Sequence, residues 1–252
     1  LILPDLLSTC TEAQKSVDEF AEAARARMTV MVSVDGRISG GRLNEEQFAG
    51  HGLSWIMTYA TGLRELLHWA KRLDQAGQRG EIENLILQAA FGEYINQLRS
   101  GVAISQGEIV RPGDMGMKDA DTATLSMGAA RQLVKDGNTN KVRMRIAALI
   151  EAGEFGNPGY GDEMLEMIAD QFHRFADEQI IPHAHDWHRQ DQLIPIELID
   201  QMSEMGVFGL TVPENFGGHG LGKVAMCIVT EELSRGYIGV GSLGTRPEIA
   251  CE

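Results

Sequence analysis

Cysteine is scarce: 252 residues carry three thiols, Cys10, Cys227 and Cys251. They lie far apart, are odd in number and form no CxxC pair, so neither a disulfide framework nor a zinc finger organises the fold, and buried, unreactive thiols in a reducing compartment are the reading. Positive charge is also in deficit, with 22 Lys and Arg against 36 Asp and Glu for a net charge of −14. Such a chain repels phosphate backbones and anionic lipid, which removes nucleic acid and membrane from the expected partners. No apolar run approaches the roughly 18 residues needed to cross a bilayer, and Leu1 to Thr9 has no basic stretch ahead of its short apolar one. A cytoplasmic protein is expected. No GxSxG elbow, no Gly-Lys phosphate loop and no nucleophile with an ordered base occurs. Disorder is not expected either, since 43% hydrophobic and 23% charged residues are ordinary for a globular chain. The first residue is Leu, and Glu252 follows Ile249-Ala250-Cys251 without a helix stop, so both ends read as cut.

What is present is helical period. Ser8 to Met28 opens with Thr11 and Gln14 at capping-box spacing and places Val17, Phe20, Ala21, Ala24 and Met28 on one face. Val30, Val32 and Val34 then alternate up to Asp35-Gly36, which predicts a short hairpin or extended loop. Residues 54–73 and 81–98 repeat apolar positions every three to four residues and predict an antiparallel helix pair. Residues 100–140 predict loops with one short helix near Thr124 to Val134, followed by a helix over Lys141 to Ala152. Phe155 to Gly161, rich in Gly and Pro, reads as a linker, so the expected domains are 1–154 and 162–252. The first should satisfy its own apolar faces and serve structure or oligomer contacts, with Glu45-Glu46 a solvated face or helix start. In the second, Asp162 caps a helix closed by Pro182, Pro195 opens another that Gly206 ends, and a further helix runs from Gly222 to Arg235. The fold class is all-α.

Two motifs invite chemistry. Gly239-Val240-Gly241-Ser242-Leu243-Gly244 matches the GxGxxG dinucleotide pattern, but it follows a helix and no strand, so its glycines serve close helix packing or the approach of a ligand. His183, His185 and His188 with Asp186 have metal-binding side chains at a spacing that fits no usual zinc site, in a segment read as irregular; no metal is expected.

Three further pieces carry a family resemblance. FADEQIIPHA at 175–184, MGVFGLTVPENFGG at 205–218 and EELSR at 231–235 resemble, in order and content, the N-terminal helical domain of acyl-CoA dehydrogenases. The stretches EELSRGYIGVGSLGTR at 231–246, HGLSWIMTYATGLRELLHWA at 51–70 and SQGEIVRP at 105–112 are similar to the branch that acts on methylsuccinyl-CoA, whose members carry an extra helical region first. Pro247 departs from that branch, where Ser follows the Arg. The resemblance implies FAD-dependent α,β-dehydrogenation of an acyl-CoA, with electrons passed to electron-transfer flavoprotein by a homo-oligomer, a dimer or tetramer. It also implies that the catalytic base and most FAD contacts lie in domains absent from this chain, which leaves no catalytic residue to name. The acyl-pocket wall maps onto Gly241, Ser242, Thr245, Arg246 and Ile249. Methylsuccinyl-CoA carries a free carboxylate that needs a cationic partner, for which Arg246 is the candidate with Arg235 behind it; the alternative is that Arg246 pairs with Glu248 or Glu252. Another acyl-CoA dehydrogenase or oxidase, or a helical interaction module without activity, remains open at this point.

Overall fold

The first long helix is fixed by a stripe that spans eight turns. In the computed structural model, which describes residues 1–251 apart from the side chains of Glu248 and Cys251, α1 (Leu6–Val32) buries Leu6, Cys10, Ala13, Val17, Phe20, Ala21, Ala24, Met28 and Val32. The capping box expected at Thr11 and Gln14 is not formed. Because the stripe reaches back to Leu6, both residues lie inside the helix, where the Thr11 hydroxyl donates to the Leu7 carbonyl and the Gln14 amide to Asp18 and the Ala60 carbonyl. The helix also takes in Val30 and Val32, read from sequence as extended: Val32 continues the buried stripe, while Val30 is exposed. The hairpin shrinks to β1 (Ser33–Val34) and β2 (Arg37–Ile38) about Asp35 and Gly36, both at positive φ (50° and 76°) as a two-residue turn of this hand requires.

After the short α2 (Gly40–Glu45), the two expected helices appear as α3 (Gln47–Gln75) and α4 (Glu81–Ser100). Tyr59 on α3 meets Tyr94 and Gln97 near the far end of α4, so the pair runs antiparallel. Residues 100–140 are more ordered than their composition suggested. They hold a second hairpin, β3 (Val102–Ala103) with β4 (Ile109–Val110), whose Val102 and Val110 are buried; Gly52 of α3 leaves the Val110 side chain room that no Cβ would. Then come a 3-10 turn at Pro112–Met115, α5 (Asp119–Thr122), a 3-10 turn at Ala123–Ser126, α6 (Gly128–Asp136) and α7 (Asn140–Glu151). The single helix expected near 124–134 is thus split, because Met127 is extended and Gly128 takes φ 50°. One core runs beneath α1, α3, α4 and α6, and a smaller one of Ile82, Leu85, Val142 and Leu149 joins α4 to α7.

The chain divides into two compact units, Leu1–Gly159 and Tyr160–Glu252. The second starts with α8 (Glu163–Phe175), whose free N–H groups at Met164 and Leu165 are taken by the Asp162 carboxylate. Pro182 does not close this helix. A π-helical turn at Ala176–Ile180 carries it on, with the Ile181 N–H reaching five residues back to the Ala176 carbonyl, and Pro182 falls in the first turn of α9 (Ile181–Arg189), where a missing N–H costs little. The histidine segment is therefore helical rather than irregular. There follow α10 (Ile196–Glu204), ended by Gly206 at φ 81°, 3-10 turns at Val207–Gly209 and Glu214–Phe216, α11 (Lys223–Gly236), α12 (Ile238–Gly241) and α13 (Arg246–Cys251). Phe172, Ala176, Ile180, Trp187, Met202, Val229, Leu233 and Val240 form its core. The fold is all-α: the four two-residue strands are the only extended pairing among the described residues.

Candidate functional site

The segment that leaves α11 is seated by glycine. Gly236 packs on the π-turn, where a Cβ would come within 2.8 Å of the Ile180 Cγ2. Tyr237 breaks the helix with an extended backbone (φ −158°, ψ 121°), and the single turn of α12 folds back so that Gly241 lies on Ser234, its missing Cβ replaced by the serine side chain. Gly244 follows one turn later above Thr230, its would-be Cβ 3.4 Å from the threonine Oγ1. The glycines of the GxGxxG match therefore dock one helix on another. They open no cradle for a pyrophosphate.

From this seat the remaining residues point outward to differing degrees. The Ser242 hydroxyl donates to the Gly239 carbonyl (2.9 Å) and the Thr245 hydroxyl to the Ser242 carbonyl (3.1 Å), so both half-buried side chains stiffen the turn while keeping lone pairs free. Arg246 opens α13 and is exposed, and Ile249, one turn on, is 70% exposed. No carboxylate among the described residues pairs with Arg246, while the side chains of Glu248 and Glu252, its alternative partners, lie outside the described residues. Of the five residues mapped from sequence, Gly241 thus faces α11, and Ser242, Thr245, Arg246 and Ile249 form a ledge.

Arg235 has a different role from the one expected of it. Its guanidinium donates to Asp177 (2.8 Å), to Glu232 (3.1 Å) and to the His173 carbonyl (3.0 Å), and the His173 ring contacts Glu232 at 2.9 Å. Burial works against its charge, but the two carboxylates outweigh it and hold its pKa above the ordinary value. Arg235 ties α11 to α8 and the π-turn, its Nε, Nη1 and Nη2 each donating to a neighbour. The same acids act on Tyr160, whose phenol is pushed up by burial and then by Glu231 and Glu232.

Among the described residues no three His, Cys, Asp or Glu side chains gather as metal ligands. His183 stacks on Trp187 with ring centroids 5.7 Å apart, and Trp187 contacts Tyr237 at 6.1 Å, so this histidine packs beneath the start of the ledge. Thr230, which sequence reasoning did not single out, has its Oγ1 buried without a partner among the described residues. Nothing in the local sequence distinguishes it from a core threonine. In the first unit, Trp55 donates to His51 (3.0 Å) and Tyr59 to Gln97 (3.1 Å) along an aromatic ladder that ends at Tyr94. Glu45 pairs with Arg42 at the surface, as a solvated helix end would.

Comparison with known proteins places names beside this geometry. Residues 162–252 match the family described as "Acyl-CoA dehydrogenase, N-terminal domain". The whole chain aligns at 51% identity over 255 residues with a (2S)-methylsuccinyl-CoA dehydrogenase of Cereibacter sphaeroides, of which it covers 46%. A glutaryl-CoA dehydrogenase of Desulfococcus multivorans is 36% identical over 74 residues, 29% of this chain and 19% of that protein. The mitochondrial isovaleryl-CoA dehydrogenase of Oryza sativa subsp. japonica is 37% identical over 81 residues, 32% of this chain and 20% of that protein. The chain therefore spans less than half of the length of these relatives.

Proposed function

We propose, from the match of residues 162–252 to the acyl-CoA dehydrogenase N-terminal domain, that the complete protein oxidises the α,β bond of methylsuccinyl-CoA to give mesaconyl-CoA, as in the ethylmalonyl-CoA pathway. FAD is the electron acceptor in this reading, and electron-transfer flavoprotein, working with a cytoplasmic homo-oligomer, is the next carrier. The residues of this chain do not fit the flavin themselves, because the glycines at 239–244 are filled by Ser234, Thr230 and Tyr237 and leave no cradle. No chemical step is assigned to a residue described here. What the chain contributes is a wall for the acyl group, the ledge of Ser242, Thr245, Arg246 and Ile249.

One observation carries the substrate assignment: Arg246 is exposed on that ledge without a carboxylate partner among the described residues, while Arg235 already holds Asp177 and Glu232. A substrate with a second carboxylate supplies the partner that Arg246 lacks, and burial of that pair on closing the pocket requires the opposite charge to be present. Similarity over the entire chain, first unit included, supports the same substrate. The test is turnover by the complete, flavin-loaded protein with an artificial electron acceptor. Methylsuccinyl-CoA should be preferred over isovaleryl-CoA and glutaryl-CoA by about tenfold or more in kcat/KM, an advantage equal to about 1.4 kcal/mol. Equal or greater activity on isovaleryl-CoA would overturn the assignment, and an absence of turnover on all three would overturn the dehydrogenase reading.

A further inference from the structure

The Gly/Pro-rich segment between the two units has the composition of a free tether, yet Asn157 and Gly159 are held by hydrogen bonds. Asn157 donates its backbone N–H to the Glu83 Oε1 (2.8 Å), and its carbonyl accepts from the Trp69 indole (3.1 Å). Its side chain accepts from the Gly159 N–H (2.8 Å) and donates to Gln78 (3.3 Å). Glu83 is 4% exposed, one of three buried polar or charged residues described, and its other oxygen accepts the Gly80 N–H at 2.8 Å, which also caps α4. Both flanking glycines are required. Gly156 has φ 85° and would place a Cβ 3.1 Å from the Glu83 carboxylate; Gly159 has φ 65° and would place one 3.0 Å from Leu73 and 3.3 Å from the Trp69 ring.

We propose that residues 156–159 are a strap locked across the turn between α3 and α4 by Glu83 and Trp69, so that the chain leaves the first unit from a fixed point and flexes only beyond Gly159. A buried carboxylate with no cationic partner among the described residues is retained here because two backbone N–H groups, one from the helix start and one from the strap, satisfy it together. The strap is thus built from the same residue that starts α4. Its glycines, which alone would favour freedom, are there to let the backbone approach a carboxylate and an indole.

Amide hydrogen exchange of the complete protein, read on peptides covering 150–162, tests this. The parent should protect the amides of Asn157 and Gly159 against a freely exchanging Gly161. Glu83→Ala should speed their exchange by about tenfold or more, the factor expected when a charge-assisted hydrogen bond is lost from a local opening. Because that variant also removes the α4 cap, Trp69→Phe provides the independent arm: it deletes the indole N–H with its five-membered ring, leaves Glu83 in place, and should loosen 156–159 with exchange in α4 unchanged. Protection of 156–159 in Trp69→Phe equal to the parent, or exchange in the parent as fast as at Gly161, would overturn the proposal.

Discussion

At the scale of the residue, the most informative side chains are those whose surroundings contradict their usual behaviour. Arg246 lacks a described carboxylate partner, so its charge should matter to a dicarboxylic substrate and little to a neutral one. Arg246→Ala in the complete protein should lower kcat/KM for methylsuccinyl-CoA by tens-fold, since loss of one partner of a desolvated pair costs about 2–5 kcal/mol. It should cost a neutral branched acyl-CoA far less, and steady-state kinetics on both substrates measure the difference. Cys10 is the opposite case, a group kept neutral. Burial pushes its thiol up from 9.0 to about 12. The native state therefore holds a proton that the unfolded chain begins to lose near pH 9, so the contribution of Cys10 is intact below pH 9 and is lost as pH rises toward 12. Urea midpoints between pH 8 and 11 should fall more steeply for the parent than for Cys10→Ala, by up to about 1.4 kcal/mol per pH unit above 9. At pH 8 a thiol reagent should label exposed Cys227 and leave Cys10 untouched until unfolding. The expectation of buried, unreactive thiols holds for Cys10 and fails for Cys227, which the one-face stripe of α11 leaves exposed, and the sequence could not separate Arg235 from Arg246. Two arginines eleven residues apart look alike until Asp177, 58 residues before Arg235, is seen to hold one of them.

Among elements, what was legible followed period, and what was hidden followed contacts remote in sequence. The stripes of α1, α3, α4 and α8 predicted those helices, although α3 starts seven residues before the expected Ser54, whereas Val30 and Val32 were read as extended. The helix prevailed because Val32 continues the buried line of Ala24 and Met28. The second hairpin escaped notice because the room its buried Val110 needs is left by Gly52, remote in sequence on α3. Similarly, glycines that resembled a dinucleotide loop are docking points for α12 on α11. Gly241→Val should therefore collide with the Ser234 side chain and with its backbone nitrogen, 2.8 Å from the added Cβ, which Ser234→Ala cannot relieve. A loss of about 1–3 kcal/mol in the unfolding of the second unit is expected by denaturant titration. A loss of less than half a kcal/mol would mean that the seat yields.

Over the whole molecule, the net charge is distributed unevenly. Residues 160–252 hold 16 acidic and 5 basic side chains, whereas residues 1–159 hold 20 and 17, so self-repulsion is concentrated in the second unit. Raising NaCl from 20 to 500 mM shortens the Debye length from roughly 20 Å to a few ångström. The melting transition of the second unit should consequently rise by a few degrees while that of the first stays put, which calorimetry at both salts would resolve; a larger rise in the first would be contrary to this charge distribution. Length is constrained at this scale as well. A π-helical turn holds one more residue than the helix around it needs, and each residue of an α-helix advances the chain by about 100°. Deletion of a single amino acid from 176–180 would restore an unbroken α-helix with α9 still in phase, whereas relaxing the turn to α-helix at its present length would rotate all of α9 by that angle and carry Trp187 away from Tyr237. Homologous chains that lack the bulge must then either be one residue shorter between Phe172 and Trp187 or present another side chain to the tyrosine, so a bulge-free chain that aligns here without a gap would have a repacked contact at Tyr237.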